Sequence, residues 1–137
     1  MLEKQEDIKK LIDYSINFAE AMLKDNQKFY VFSVTIDLNG NRTPTGYYDG
    51  DELLSSQDLI NKMQTIHDAQ LINNEKRAYA ITYLVKVKRD NLSDMVDSIA
   101  VKIKYFDSKE VTIYYYSYRI TPQSTIERLD NWSVIIA

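Results

Sequence analysis

Cysteine is absent from these 137 residues, which excludes disulfides, thiolate metal sites and cysteine nucleophiles together. A reducing compartment suits such a chain. Glycine is almost as scarce: Gly40, Gly46 and Gly50 cannot be arranged into Gly-x-Gly-x-x-Gly or a Walker phosphate loop, and no Gly-x-Ser-x-Gly elbow exists. Nucleotide binding by those loops, and a serine nucleophile on such an elbow, are excluded. The one histidine, His67, leaves no room for a hydrolase triad unless it is itself the base. Long apolar runs are missing as well. No stretch approaches the roughly 20 apolar residues of a membrane-spanning helix, and Met1 to Asp7 is polar where a secretory signal needs an apolar segment. The expectation is a cytoplasmic protein without a membrane partner. Positive charge is not in excess either: a net charge of -3 and a pI near 5.2 argue against a general nucleic-acid binder, whose affinity comes from neutralising phosphates.

What is present has the composition of an ordinary folded domain. Hydrophobic residues at 45% and charged residues at 27% supply one core and a solvated surface, so a single domain over residues 1–137 is expected. Ile8, Leu11, Ile12, Ser15, Phe18, Ala19, Met22 and Leu23 keep the i, i+3, i+4, i+7 spacing of an amphipathic helix from about Lys4 to Asp25. Next, Tyr30, Phe32, Val34, Ile36 and Leu38 alternate with Val31, Ser33, Thr35 and Asp37, a strand whose first set is expected to point inward. Asn39-Gly40 then predicts a two-residue type I′ turn that sets Asp37 opposite Arg42. Pro44 makes the return strand an edge strand, because proline cannot donate to a ladder.

Ser55 with Asp58 reads as a capping box for a second helix, with Leu59, Ile60, Met63, Ile66, His67 and Leu71 on its stripe. A strand follows from about Ala78 to Lys88. The C-terminal hairpin organises the rest. Ile99, Val101, Ile103 and Tyr105 alternate with Ala100, Lys102, Lys104 and Phe106; beyond Asp107-Ser108-Lys109, Val111, Ile113 and Tyr115 alternate with Thr112, Tyr114, Tyr116 and Tyr118. Pairing Ile103 with Ile113 keeps apolar residues on one face and sets Lys102 and Lys104 beside Tyr114 and Thr112 on the other. The tail, with Trp132 and Val134-Ile135-Ile136, is apolar enough for a short added strand. The expected fold is therefore α+β: an antiparallel sheet of about five strands with two helices packed on one face.

Phe18-Ala19-Glu20, Phe29-Tyr30-Val31-Phe32, Asn39-Gly40, Arg77-Ala78-Tyr79-Ala80 and Asp97-Ser98-Ile99-Ala100-Val101, in that order, resemble a group of small uncharacterised bacterial proteins. The resemblance covers most of the chain. It implies no activity, so no functional residues carry over.

The chemistry-bearing residues divide into three sets. His67 sits on a helical apolar stripe, where a packing histidine outweighs a base. Asp49, Asp51 and Glu52, with Asp94 and Asp97, could gather a hard cation, but no EF-hand spacing is present and solvated turns explain them as well. Lys86, Lys88, Lys102, Lys104, Tyr114, Tyr116 and Tyr118 are expected on the open sheet face, where aromatics without a catalytic group suggest a docking surface. The function expected is a non-enzymatic protein-interaction module, immunity- or antitoxin-like, taking a protein partner or a second copy of itself as a homodimer. No cofactor is implied. A small enzyme using loop carboxylates and a single-stranded nucleic-acid binder on the same face are the alternatives, the latter without the aromatic signature of sheet-platform RNA binders.

Overall fold

A computed structural model describes residues 2–26, 28–29, 31–47, 56–88 and 95–136. In chain order the elements are α1 (Leu2–Asn26), β1 (Phe32–Asp37), β2 (Arg42–Tyr47), α2 (Ser56–Ile72), β3 (Lys76–Lys88), β4 (Met95–Tyr105), β5 (Val111–Ile120) and β6 (Ile126–Ile136). The strands form one six-stranded sheet in the order β2-β1-β3-β4-β5-β6, and every neighbouring pair is antiparallel. The fold is α+β, with one strand more than expected. That strand is the tail, paired along β5. Pro44 lies in β2 at the other edge, as its missing N–H requires. Tyr30 and the Ser55 cap lie outside the described residues.

α1 buries every fourth residue from Asp7, namely Leu11, Ser15, Ala19 and Leu23, and sets them on Phe32, Val34, Ile36, Ala78, Ala80, Ile99 and Val101. Small residues on both sides of that contact let helix and sheet approach closely. Each fully buried leucine contributes roughly 2 kcal/mol relative to exposure, more than any intrinsic helix preference, so packing holds α1 in place.

α2 makes a separate core. Leu59, Ile60, Met63 and Leu71 pack on Val31, Tyr79 and Ile81, the residues that alternate with those under α1. The two helices therefore cover opposite faces of the sheet, not one face as expected. The reason lies in β1 and β3. Residues 31–36 are all buried, Val31, Ser33 and Thr35 as well as Phe32, Val34 and Ile36, because a strand between two helices is apolar or satisfied on both sides.

Two turn geometries also differ from expectation. Gly40 alone adopts positive φ (87°) in the first hairpin, and Asp37 Oδ1 accepts hydrogen bonds from Asn39 N and Asn41 N, both at 2.9 Å. The carboxylate organises a longer loop, so Arg42 pairs with Ile36 and not Asp37, while Leu38 is exposed. In the C-terminal hairpin Ile103 pairs with Thr112 and Lys102 with Ile113, one residue away from the expected register. Here Phe106 N donates to Arg77 O of β3 at 2.8 Å and Ser108 N donates to Tyr105 O at 3.1 Å. Those bonds take Phe106 out of the β4–β5 ladder and move every β5 side chain to the face opposite the one expected.

Candidate interaction surface

The register decides which side chains share a surface, since residues directly opposite one another lie on the same face. Tyr114 and Tyr116 pair with Val101 and Ile99, so with Tyr118 they pack against the core beneath α1. Burial pushes the Tyr118 phenol up to about 12, with Asp97 adding to the effect, and burial also raises Tyr114 and Tyr116. Lys102 and Lys104 lie on the opposite side, under the edge of α2. Lys102 Nζ donates to Gln64 Oε1 at 2.6 Å, and Lys104 Nζ lies 3.5 Å from Asp68 Oδ1. Burial holds the Lys102 ammonium below its ordinary value.

The expected Lys/Tyr face therefore does not exist as one surface. Lys86 and Tyr118 do meet, with Leu84, Val85 and Asp97, around an open cleft of about 330 Å³ on the α1 side. Lys86 Nζ lies 3.7 Å from Asp97 Oδ1 there. Lys88 pairs with Met95 through the backbone, and its side chain lies outside the described residues.

A different surface emerges where α2 stops covering the sheet. Tyr83, Ala100, Tyr115 and Trp132 form one cross-strand row; Ile81, Lys102, Ile113 and Val134 form the next. Ile81 lies beneath α2, whereas Val134 is 45% exposed and Ile136, two residues on, 44% exposed. Tyr115 and Trp132 stack with ring centroids 5.2 Å apart and planes 16° from parallel. Tyr83 is half-buried at the inner end of the row, its phenol pushed up to about 12 by burial, with the Tyr115 hydroxyl adding to the effect. The result is an apolar shelf that runs from the flank of α2 to the open edge of β6. Sequence reasoning missed it because Trp132 and Tyr115 become neighbours only once the tail is a strand and β5 has turned over.

His67 is buried, as its place on the stripe predicts. One ring nitrogen lies 2.8 Å from Gln70 Oε1 and the other 2.9 Å from Ser33 Oγ, and the ring stacks on Tyr79. A hydroxyl beside an imidazole is the beginning of a nucleophile and base pair. Ser33 and His67 are 2% and 4% exposed, however, and the third group is a neutral amide, so the arrangement anchors α2 to β1. Tyr79 Oη donates to Asp68 Oδ1 at 2.8 Å beside it.

Asp49, Asp51, Glu52 and Asp94 lie outside the described residues, and Asp97 is the ion-pair partner of Lys86. Among the described residues no group of three or more histidine, cysteine, aspartate or glutamate side chains is placed to hold a metal ion. No described helix is long and apolar enough to cross a membrane. Neither a family model nor a curated protein nor a solved structure matches the chain.

Proposed function

We propose that the chain is a non-enzymatic protein-interaction module that docks its partner on the shelf formed by Tyr83, Tyr115, Trp132, Val134 and Ile136. One observation carries the reading: α2 roofs the sheet over β1 and β3, and on β5 and β6 the same face carries the stacked, half-buried Tyr115 and Trp132 beside exposed Val134 and Ile136. Aromatic and branched side chains at the centre of a surface patch, with polar groups at its rim, are the composition of interface cores. Lys102 and Lys104 are engaged by Gln64 and Asp68, which leaves the shelf apolar where a nucleic-acid site would need free cations.

The test uses the only tryptophan in the chain as both probe and target. Partner binding should shift Trp132 emission to shorter wavelength as water leaves the ring. Changing Tyr115 and Trp132 together to serine should abolish retention of the partner while the melting temperature falls by only a few degrees. Retention that survives this double change would defeat the reading.

A further inference from the structure

We infer that the partner is a second copy of this chain, joined through β6 about a two-fold axis at Val134. The inference rests on the reading of the shelf as a docking surface and names its occupant. β6 is an edge strand of 11 residues with β5 on one side and, among the described residues, no strand on the other. An edge of that length presents a row of backbone N–H and C=O groups that template a further strand. The opposite edge is closed to such pairing: β2 has six residues, contains Pro44, and shifts register at a bulge beside Ser33 and Val34.

The side chains on β6 point to the same strand as its mate. In an antiparallel pair about a two-fold axis normal to the sheet, one residue faces itself and those equally spaced on either side face one another. With Val134 on the axis, Ser133 meets Ile135 and Trp132 meets Ile136, so none of these five positions carries a charged side chain. Moving the axis to Ser133 sets Asp130 against Ile136. Moving it to Trp132 sets Asp130 against Val134 and Arg128 against Ile136. An axis at Leu129 would match Arg128 with Asp130, but the β5–β6 register shifts there, and both Arg128 Nε and Nη2 are already bound to Glu20 at 2.7 and 2.9 Å.

The Val134 register covers Val134, Ile135 and Ile136, exposed by 45%, 61% and 44%, with apolar or neutral partners, and unlike an axis at Ile135 it also brings Trp132 into the contact. It also abuts the two copies of the shelf, so Trp132 of one lies across the strand from Ile136 of the other.

The experiment is sedimentation of the full chain and of two variants, Val134→Lys and Val134→Asp, over roughly 1 to 500 µM, the range in which micromolar association is resolved. The wild type should pass from monomer to dimer, and each variant, facing its own charge at the axis, should remain a monomer with an unchanged circular dichroism spectrum. An equimolar mixture of the two variants should recover the dimer, because lysine then faces aspartate. Variants that still dimerise separately, or a mixture that stays monomeric, would overturn the Val134 register. A wild type that is monomeric throughout, yet still retains another protein in a Trp132-dependent way, would overturn the second copy and leave the docking surface standing. Loss of both would remove both.

Discussion

Arg77 Nη2 donates to Asp7 Oδ1 at 2.7 Å, which ties the first turns of α1 to the start of β3, 70 residues away. The same carboxylate accepts from Tyr105 Oη at 2.9 Å through its other oxygen, and it is only 1% exposed. One buried acid thus joins α1, β3 and the last residue of β4. Hydrogen bonding to Asp7 raises both Arg77 and Tyr105 above their ordinary values, Tyr105 to about 12 with burial the larger cause. The guanidinium also lies over Gly40, where a β-carbon would come within 2.9 Å of Nη2, so the positive-φ glycine leaves room for the pair.

Removing one member of this group strands the others. Asp7→Ala should cost about 3 kcal/mol, because it leaves the buried Tyr105 phenol without its acceptor and takes from Arg77 its buried carboxylate, so that the guanidinium keeps only the exposed Glu3, 2.6 Å from Nη1. Asp7→Leu combined with Arg77→Met should recover the part of that loss that comes from the cation, since an apolar pair carries no desolvation penalty, while Tyr105 Oη still lacks its acceptor. Urea unfolding of Asp7→Leu, Arg77→Met and the double variant checks this. Additive losses would show that the two residues do not act as a pair.

His67 makes stability depend on pH in a window of its own. Burial lowers its affinity for a proton below the ordinary value of 6.5, with Gln70 and Asp68 opposing the shift. The unfolded chain therefore binds more protons than the folded one below about pH 6.5, and stability falls as pH falls. The contribution is complete above that value and is lost progressively as pH drops through the lowered folded value. Asp37, held below its ordinary 3.8 chiefly by the Asn41 backbone N–H, acts at lower pH and does not enter this window. The urea midpoint of the wild type should decrease from about pH 7.5 to about pH 5.5, and His67→Gln should flatten that dependence whatever its absolute stability. Equal slopes in the two proteins would remove His67 as the cause.

Tyr114 and Tyr116 show how far periodicity reads the chain and where it stops. Their alternation with Ile113 and Tyr115 identifies β5 correctly, and the stripes of α1 and α2 are plain too, apart from Ile66, which is 50% exposed, because each period is local. Which face each set meets is not local. It depends on Phe106 N finding Arg77 O, on α2 crossing to the far side of the sheet, and on the tail becoming β6. A strand with apolar residues on both faces also gives no cue to prefer one. The lysines and tyrosines thus divide between two surfaces, and the shelf at Trp132 was invisible. The two sets of tyrosines should now respond in opposite ways. Tyr114→Ser or Tyr116→Ser opens the core under α1 and should cost about 2 kcal/mol, whereas Tyr115→Ser, which lies outside that core and stacks on Trp132, should cost less than half of that. Thermal melts of the three variants decide it; similar losses at all three positions would contradict the register.

The turn before β6 carried a signal that can be read in retrospect. Thr121-Pro122 reads as the end of a strand, yet proline is also preferred at the second position of a type I turn. Here Ser124 N donates to Thr121 O and Thr121 N donates to Thr125 O, both at 2.9 Å, while Thr121 Oγ1 accepts from Thr125 N at 3.2 Å. Asp37 to Asn41 repeats this pattern, with Gly40 N donating to Asp37 O and Asp37 N donating to Asn41 O. The difference lies at the fourth residue. The first loop has glycine at φ 87°, whereas the second holds Ser124 at φ 62°, a left-handed conformation that disfavours any side chain. Ser124→Gly should therefore stabilise the protein by about 0.5 kcal/mol, the relief of strain exceeding the added freedom of the unfolded chain, and Ser124→Val should destabilise it by more than that. Because this hairpin positions β6, the valine variant should also weaken the self-association proposed at Val134. A valine variant as stable as wild type would mean that Ser124 does not need the left-handed conformation for β6 to pair.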